Sequence, residues 1–252
     1  MSDNLQELVA RERDTYNTGL QRRGYDSVFH HANWLMHLER IKLFRTIVAG
    51  ARLDRALEIG SSTWADWLES NAIVPGELYC INISEREIEA GRERARHTRN
   101  QPNFILMDAH HLEFSDSSFD LVFGSAILHH LRLDRALAEI DRVLRPGGLF
   151  VFFEPLDNNP VARFVRRLTP FARTADETPF RRPELAMICD RFECRTHFEQ
   201  LFVVPAGIVS RGLFRSEENA LMRGALRLDR WMLATMPWLG PYSRKVMLVG
   251  RR

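Results

Sequence analysis

Ala56-Leu57-Glu58-Ile59-Gly60-Ser61-Ser62-Thr63-Trp64 decides how this chain is read. A short, mostly apolar run ends in glycine, the pattern of a buried strand closing in a tight turn. Small residues follow, and residues 64–72 can continue as a helix. A strand that turns into a helix through small residues opens a βαβ unit. Such a turn lets a ligand approach the backbone, and the helix start offers it N–H groups.

The same rhythm repeats outward from that stretch. Residues 78–83 form a second apolar run. Ser84-Glu85-Arg86-Glu87 has capping-box spacing and starts a helix reaching about His97. Residues 104–107 and 119–123 read as third and fourth strands. A helix over 133–144 is stopped by Pro146-Gly147-Gly148, and 149–153 read as a fifth strand. Continuous apolar runs mean strands buried on both faces, hence a largely parallel sheet. Ligands in such sheets bind at the carboxyl ends of the strands, near the point where strand order reverses.

Beyond residue 155 the pattern predicts helices over 160–168, 183–191 and 217–236, and strands over 192–204 and 242–250. Residues 1–50 read as helical, with a break at Gly24. The expectation is an α/β, Rossmann-like fold with a seven-stranded, mostly parallel sheet and helices on both faces. Residues 1–50 are expected to form an N-terminal helical lid. The core takes 51–252, with 205–241 as a helical insertion or cap.

Composition excludes several classes. The chain has 252 residues, 45% hydrophobic and 27% charged, with a net charge of +2. That is the balance of a globular protein, not a disordered one. No run approaches the roughly 18 apolar residues of a membrane span. The polar N-terminus does not read as a signal peptide. Cys80, Cys189 and Cys194 lack Cys-x-x-Cys spacing, so neither a disulfide framework nor a metal site is expected, and a reducing cytoplasmic setting fits. Lys42 and Lys245 are the only lysines among 35 basic residues, a bias toward arginine that codon usage explains more simply than anion binding does. The small net charge and the lack of an Asn-Pro-Pro-aromatic motif argue against a nucleic-acid partner.

Further residues complete an ordered series. Asp108-Ala109 follows the third strand, Phe119-Asp120-Leu121-Val122 forms the fourth, His129-His130 follows it, and Arg142-Val143-Leu144-Arg145-Pro146-Gly147-Gly148 precedes the fifth. Together with Glu58 and Gly60 this series, over roughly 54–156, resembles the class I S-adenosylmethionine-dependent methyltransferases, in particular the branch of ubiquinone and menaquinone methyltransferases. The resemblance implies S-adenosylmethionine as cofactor, and the apolar segment 205–241, read as a lid, suits a small, apolar or natural-product-like acceptor. It assigns Glu58, Gly60, Ser61 and Ser62 to the loop at the methionine end of the cofactor. Asn82 and Ile83 fall at the ribose, Asp108 and Ala109 at the adenine, and Ser125 in the wall after the fourth strand.

Three positions depart from that pattern. Ser62 and Trp64 replace the second and third glycines of the loop, and Asn82 replaces an acid. A neutral amide is a weaker acceptor than a carboxylate. These departures motivate a rival reading: a catalytically silent or repurposed protein that binds a partner, or non-methyl chemistry on the same fold.

Methyl transfer depends on alignment, with a base needed only for hydroxyl, amine or acidic-carbon acceptors. His129 and His130, at the ligand edge, are the candidate bases, and Glu154 is a third catalytic candidate. His110 and His111 read as an exposed loop pair. Tyr16, Tyr25, His30, His31 and Trp34 belong to the N-terminal helices. Arg163, Arg166, Arg167, Arg173, Arg181 and Arg182 would suit an anionic substrate or a solvated face. Segment 205–241 is apolar with interspersed arginines, so it could cover the acceptor pocket, form a homodimer interface or lie on a membrane surface.

Overall fold

Along residues 149–153 successive side chains take opposite faces. Phe150 and Phe152 join one buried cluster; Leu149, Val151 and Phe153 join another. This period of two is that of a strand, and burial on both faces marks a strand covered by helices on each side. Leu121 and Phe123 alternate with Val122 in the same way.

The computed structural model describes residues 2–18, 28–168 and 179–252. In chain order these give α1 (Ser2–Thr18), α2 (His30–Val48), β1 (Arg55–Ile59), α3 (Thr63–Trp67), β2 (Glu77–Asn82), α4 (Glu85–Ala95), β3 (Asn103–Leu106) and β4 (Phe119–Ser125). There follow α5 (Leu133–Val143), β5 (Leu144–Pro155), α6 (Pro160–Leu168), α7 (Arg182–Arg191), β6 (Arg195–Glu199), α8 (Val203–Leu213), α9 (Ala220–Thr235) and β7 (Lys245–Arg251). The seven strands form one sheet in the order β3-β2-β1-β4-β5-β7-β6. Neighbours from β3 to β5 pair in parallel, and β7 runs antiparallel between β5 and β6. The expected seven-stranded, mostly parallel α/β sheet is the one observed.

Helices α5 and α7 cover one face through Leu137, Ile140 and Ile188. The other is covered by α2, α3 and α4 through Phe44, Trp64, Trp67 and Ala95. Register aligns Ile59 with Ile81 and Asn82 with Leu106. The carboxyl ends of β1, β2 and β3 therefore lie side by side. The chain moves one way from β1 to β3 and the other way from β4 to β5, so the reversal falls between β1 and β4.

Several boundaries differ from the sequence reading. The helix expected over 64–72 is only Thr63–Trp67 followed by a 3-10 turn, and Ala72 ends it in the left-handed region at φ 55°. β5 begins at Leu144, because Leu144 already pairs with Phe119 before a shift of register. Pro146-Gly147-Gly148 thus lies inside the strand. The strand expected over 192–204 is only Arg195–Glu199, since Val203 and Val204 bury their side chains from the first turn of α8. α2 is part of the core: Phe44 stands 6.0 Å from Phe123 between ring centroids. α2 also meets α8 closely, where a Cβ on Gly207 would come within 3.0 Å of Ala32 Cβ. Among the described residues, no helix is long and apolar enough to cross a membrane.

Candidate active site

The carboxyl ends of β1, β2 and β4 open into a cavity of about 230 Å³. Gly60, Ser61, Ser62, Asn82, Ile83, Asp108, Ala109 and Ser125 line it, as do Leu8, Val9, Glu12 and Tyr16 of α1. Strand ends leave backbone and side chains pointing outward at the reversal point, which is why ligand sites form there. Gly60 makes the turn at φ +117°, a conformation that side chains rarely adopt.

Glu58 is fully buried below that turn and does not reach the cavity. Its Oε1 accepts from the backbone N–H groups of Ser62 at 3.1 Å and Thr63 at 2.7 Å, and its Oε2 from Trp64 N–H at 3.2 Å. Cys80 Sγ donates to Oε2 at 3.3 Å. Burial pushes the Glu58 carboxyl up from its ordinary range, against the pull of these four bonds. Two sequence expectations change. Glu58 shapes the loop from beneath, and the N–H groups at the start of α3 are held by this carboxylate and not offered to a ligand. Trp64 turns away into the core, edge-on to Phe104 at 6.3 Å. Ser62 alone of the two glycine replacements lines the cavity.

Asn82 is tied on both sides. Its Oδ1 accepts from Ser84 N–H at 3.0 Å, and its Nδ2 donates to Ser61 Oγ at 3.1 Å. Ser61 in turn donates to the Glu87 carbonyl at 3.2 Å. Ser84 caps α4 and also donates to Asn17 Oδ1 at 2.7 Å, which fastens the end of α1 beside the cavity.

Asp108 Oδ1 accepts from the His110 backbone N–H at 2.9 Å and faces His110 Nδ1 at 2.6 Å. His110 Nε2 accepts from Arg132 N–H at 2.9 Å, which places the proton of the neutral ring on Nδ1. Burial raises the Asp108 carboxyl, but the bonds from His110 and the charge of Arg13 outweigh it and leave the group below its usual range. His110 is therefore not the exposed loop residue expected; its side chain is buried and holds Asp108. Only His111 remains exposed.

The histidine pair after β4 divides its roles. His129 Nδ1 lies 2.7 Å from Glu154 Oε2, and both are buried. Glu154 Oε1 accepts from Ile127 N–H at 3.1 Å and Leu128 N–H at 2.9 Å. Neither residue lines the cavity, so their catalytic assignment is replaced by a structural one: they brace the turn. His130 does line it. Its Nδ1 stands 3.3 Å from Glu12 Oε2 and its Nε2 3.4 Å from the Tyr16 hydroxyl. Glu12 has no sequence signal beyond its place on an amphipathic helix.

The remaining candidates among the described residues do not line the cavity. His30 reaches Glu217, and His31 Nδ1 lies 2.9 Å from Ser210 Oγ. Trp34 is on α2 and 38% exposed. Arg166 and Arg181 both pair with Asp157, while Arg163, Arg167 and Arg182 face solvent. Tyr25 and Arg173 fall outside the described residues.

Residues 57–152 match the family described as a methyltransferase domain. Over that stretch the chain carries the sequence pattern of a methyltransferase domain. The match spans β1 to β5, five of the seven strands, and so includes the strand ends that line the cavity. Demethylmenaquinone methyltransferase of Staphylococcus haemolyticus is 32% identical over 125 residues, 49% of this chain and 50% of that protein. An O-methyltransferase of Penicillium expansum is 28% identical over 136 residues, 50% of this chain and 49% of that protein. This chain thus matches about half the length of these curated relatives. Among solved structures, geranyl diphosphate C-methyltransferase of Streptomyces coelicolor A3(2) shares the methyltransferase fold at TM-score 0.57 and 13% identity, over 85% of this chain and 78% of that one.

Proposed function

We propose that this chain transfers a methyl group from S-adenosylmethionine to a small, apolar acceptor of the natural-product kind. The observation that carries this reading is Asp108. Its Oδ1 is held by His110, and among the described residues no hydrogen bond engages Oδ2, which is left for the adenine amino group. The other lining residues fit the cofactor as well. The Gly60 turn admits a chain close to the backbone, and Ile83, Ala109 and Leu131 give apolar walls for a flat base. When bound, the cofactor supplies an electrophilic sulfonium methyl group and leaves as a neutral thioether.

His130 is the base for a hydroxyl or acidic-carbon acceptor. It lines the cavity, Glu12 orients its ring from the Nδ1 side, and Nε2 takes the proton where the Tyr16 hydroxyl now sits. Leu8, Val9, Ile127 and Leu131 favour an apolar acceptor body. The natural-product and quinone methyltransferases among the relatives agree with this class.

Calorimetric titration with S-adenosylmethionine and S-adenosylhomocysteine tests the reading. Binding by the wild type that is lost in Asp108→Ala supports it. Unchanged binding in that variant overturns the site. A folded protein that binds neither ligand favours the repurposed reading, whose support is the neutral, doubly tied Asn82.

A further inference from the structure

The two helices between β6 and β7 leave an apolar face turned outward. Phe202, Val209 and Leu213 follow helical spacing along α8, and Leu221, Leu228 and Trp231 do so along α9. Between them runs a shallow groove of about 480 Å³ floored by Ala206, Gly224 and Ala225. Leu213 is 72% exposed, Trp231 59% and Trp238 67%.

These helices are held without that face. Met222 and Ala225 pack on Ala32, Met36 and Val203. The buried Asp229 carboxylate accepts from Leu201 N–H at 2.9 Å and from the Phe202 and Val203 N–H groups, capping α8. Asn219 donates to Ser210 Oγ at 2.6 Å. The outward residues are therefore surplus to folding, and an exposed apolar groove flanked by further apolar side chains marks a surface that meets something.

Charge selects what it meets. The same segment exposes Arg215, Arg223 and Arg227 against Glu218, with Glu217 half-buried. Glu217 is engaged by His30, and Glu218 reaches Arg223 at 3.8 Å. The rim is net positive. A second copy seated on this face would set one net-positive rim against another, whereas an anionic bilayer neutralises it. Exposed tryptophans beside arginines suit the boundary between acyl chains and headgroups, where both side chains bury an apolar body and keep a polar end wet.

We propose that the α8–α9 face docks on an anionic lipid surface, with Leu213, Trp231 and Trp238 entering the acyl boundary and the arginines meeting lipid phosphates. α8 leaves the carboxyl end of β6 and α9 returns toward the start of β7, so this face lies at the sheet edge where the cavity opens. The proposal stands independently of the methyl-transfer reading.

Cosedimentation of the full chain with vesicles tests it. Vesicles of phosphatidylcholine mixed with phosphatidylglycerol should carry the protein down, pure phosphatidylcholine should not, and added salt should release it. Leu213→Glu with Trp231→Glu should weaken partitioning at least about tenfold, and each of Arg223→Gln and Arg227→Gln about fivefold. All four positions are exposed, so circular dichroism and Tm should stay unchanged. Equal binding to both vesicle types, or no loss in the arginine variants, overturns the anionic surface. No vesicle binding, with a dimer by sedimentation that Leu213→Glu and Trp231→Glu dissociate, overturns it in favour of a second copy.

Discussion

Asp108 Oδ1 lies 2.6 Å from His110 Nδ1, and His110 is itself locked by the Arg132 backbone at its other nitrogen. One buried ring thus fixes the orientation of the carboxylate assigned to the adenine. It also holds that carboxylate ionised below the ordinary range.

Removing the ring should shift the pH dependence of cofactor binding. In His110→Ala the ring's bond and charge are lost, while burial, which raises the group, remains along with the weaker pull of the residue 110 backbone N–H and of Arg13. Wild-type binding should persist as pH falls to below the usual carboxylate range near 3.8. In the variant it should fade at higher pH. Calorimetric titration along a pH series checks this. The same sign applies to stability: a depressed carboxyl stabilises the fold above its unfolded pKa, and that contribution is lost as pH falls through the folded value.

Asn82→Asp should strengthen binding of S-adenosylhomocysteine by about tenfold, since a carboxylate accepts from ribose hydroxyls more strongly than an amide. Ser61 would keep one partner, because its single hydroxyl hydrogen can turn from the Glu87 carbonyl to the new oxygen. A weaker affinity in the calorimeter would mean that the Asn82 bond to Ser61 matters more than charge.

Glu58→Gln should destabilise the fold by about 2–4 kcal/mol, because the amide turns a donor toward backbone N–H groups that now share two acceptor oxygens. Trp64→Gly should cost about 3–5 kcal/mol by emptying a fully buried site. Urea unfolding measures both. Cofactor affinity of folded Trp64→Gly should change little, since Trp64 points away from the cavity.

His130→Gln should lower kcat by about a hundredfold or more with an oxygen or carbon acceptor, with a modest change in Tm. Glu154→Ala should do the reverse, costing about 3–5 kcal/mol of stability by removing the buried carboxylate that His129 Nδ1 and the Ile127 and Leu128 N–H groups share. Steady-state kinetics together with thermal melts separate the two residues.

The strand-and-turn order was legible because each strand is buried on both faces and reads as an unbroken apolar run. Gly60, Asn82, Asp108 and Ser125 could be placed for the same reason, as residues that end such runs. Glu58 and His129 could not be sorted from their neighbours. A carboxylate or imidazole at a strand end reads alike whether it faces the cavity or the core; only the turn's geometry decides. His110 was passed over because its role depends on Arg132, a contact that no spacing announces. Val203-Val204 read as strand because β-branched pairs favour strands locally, and the Asp229 cap overrides that preference.

β7 is made after β6 yet lies between β6 and β5. As the chain emerges during synthesis, β6 has no neighbour to pair with, and the edge of β5 stays open, until residues 245–251 appear. The helices α7 and α9 already have their packing partners by then, in the sheet face and in α2, so it is the sheet's outer edge that waits. Cavity and sheet centre can assemble early, whereas the outer edge of the sheet is completed last, so a ribosome paused before residue 245 would hold a protein with its ligand end built and β6 still unpaired.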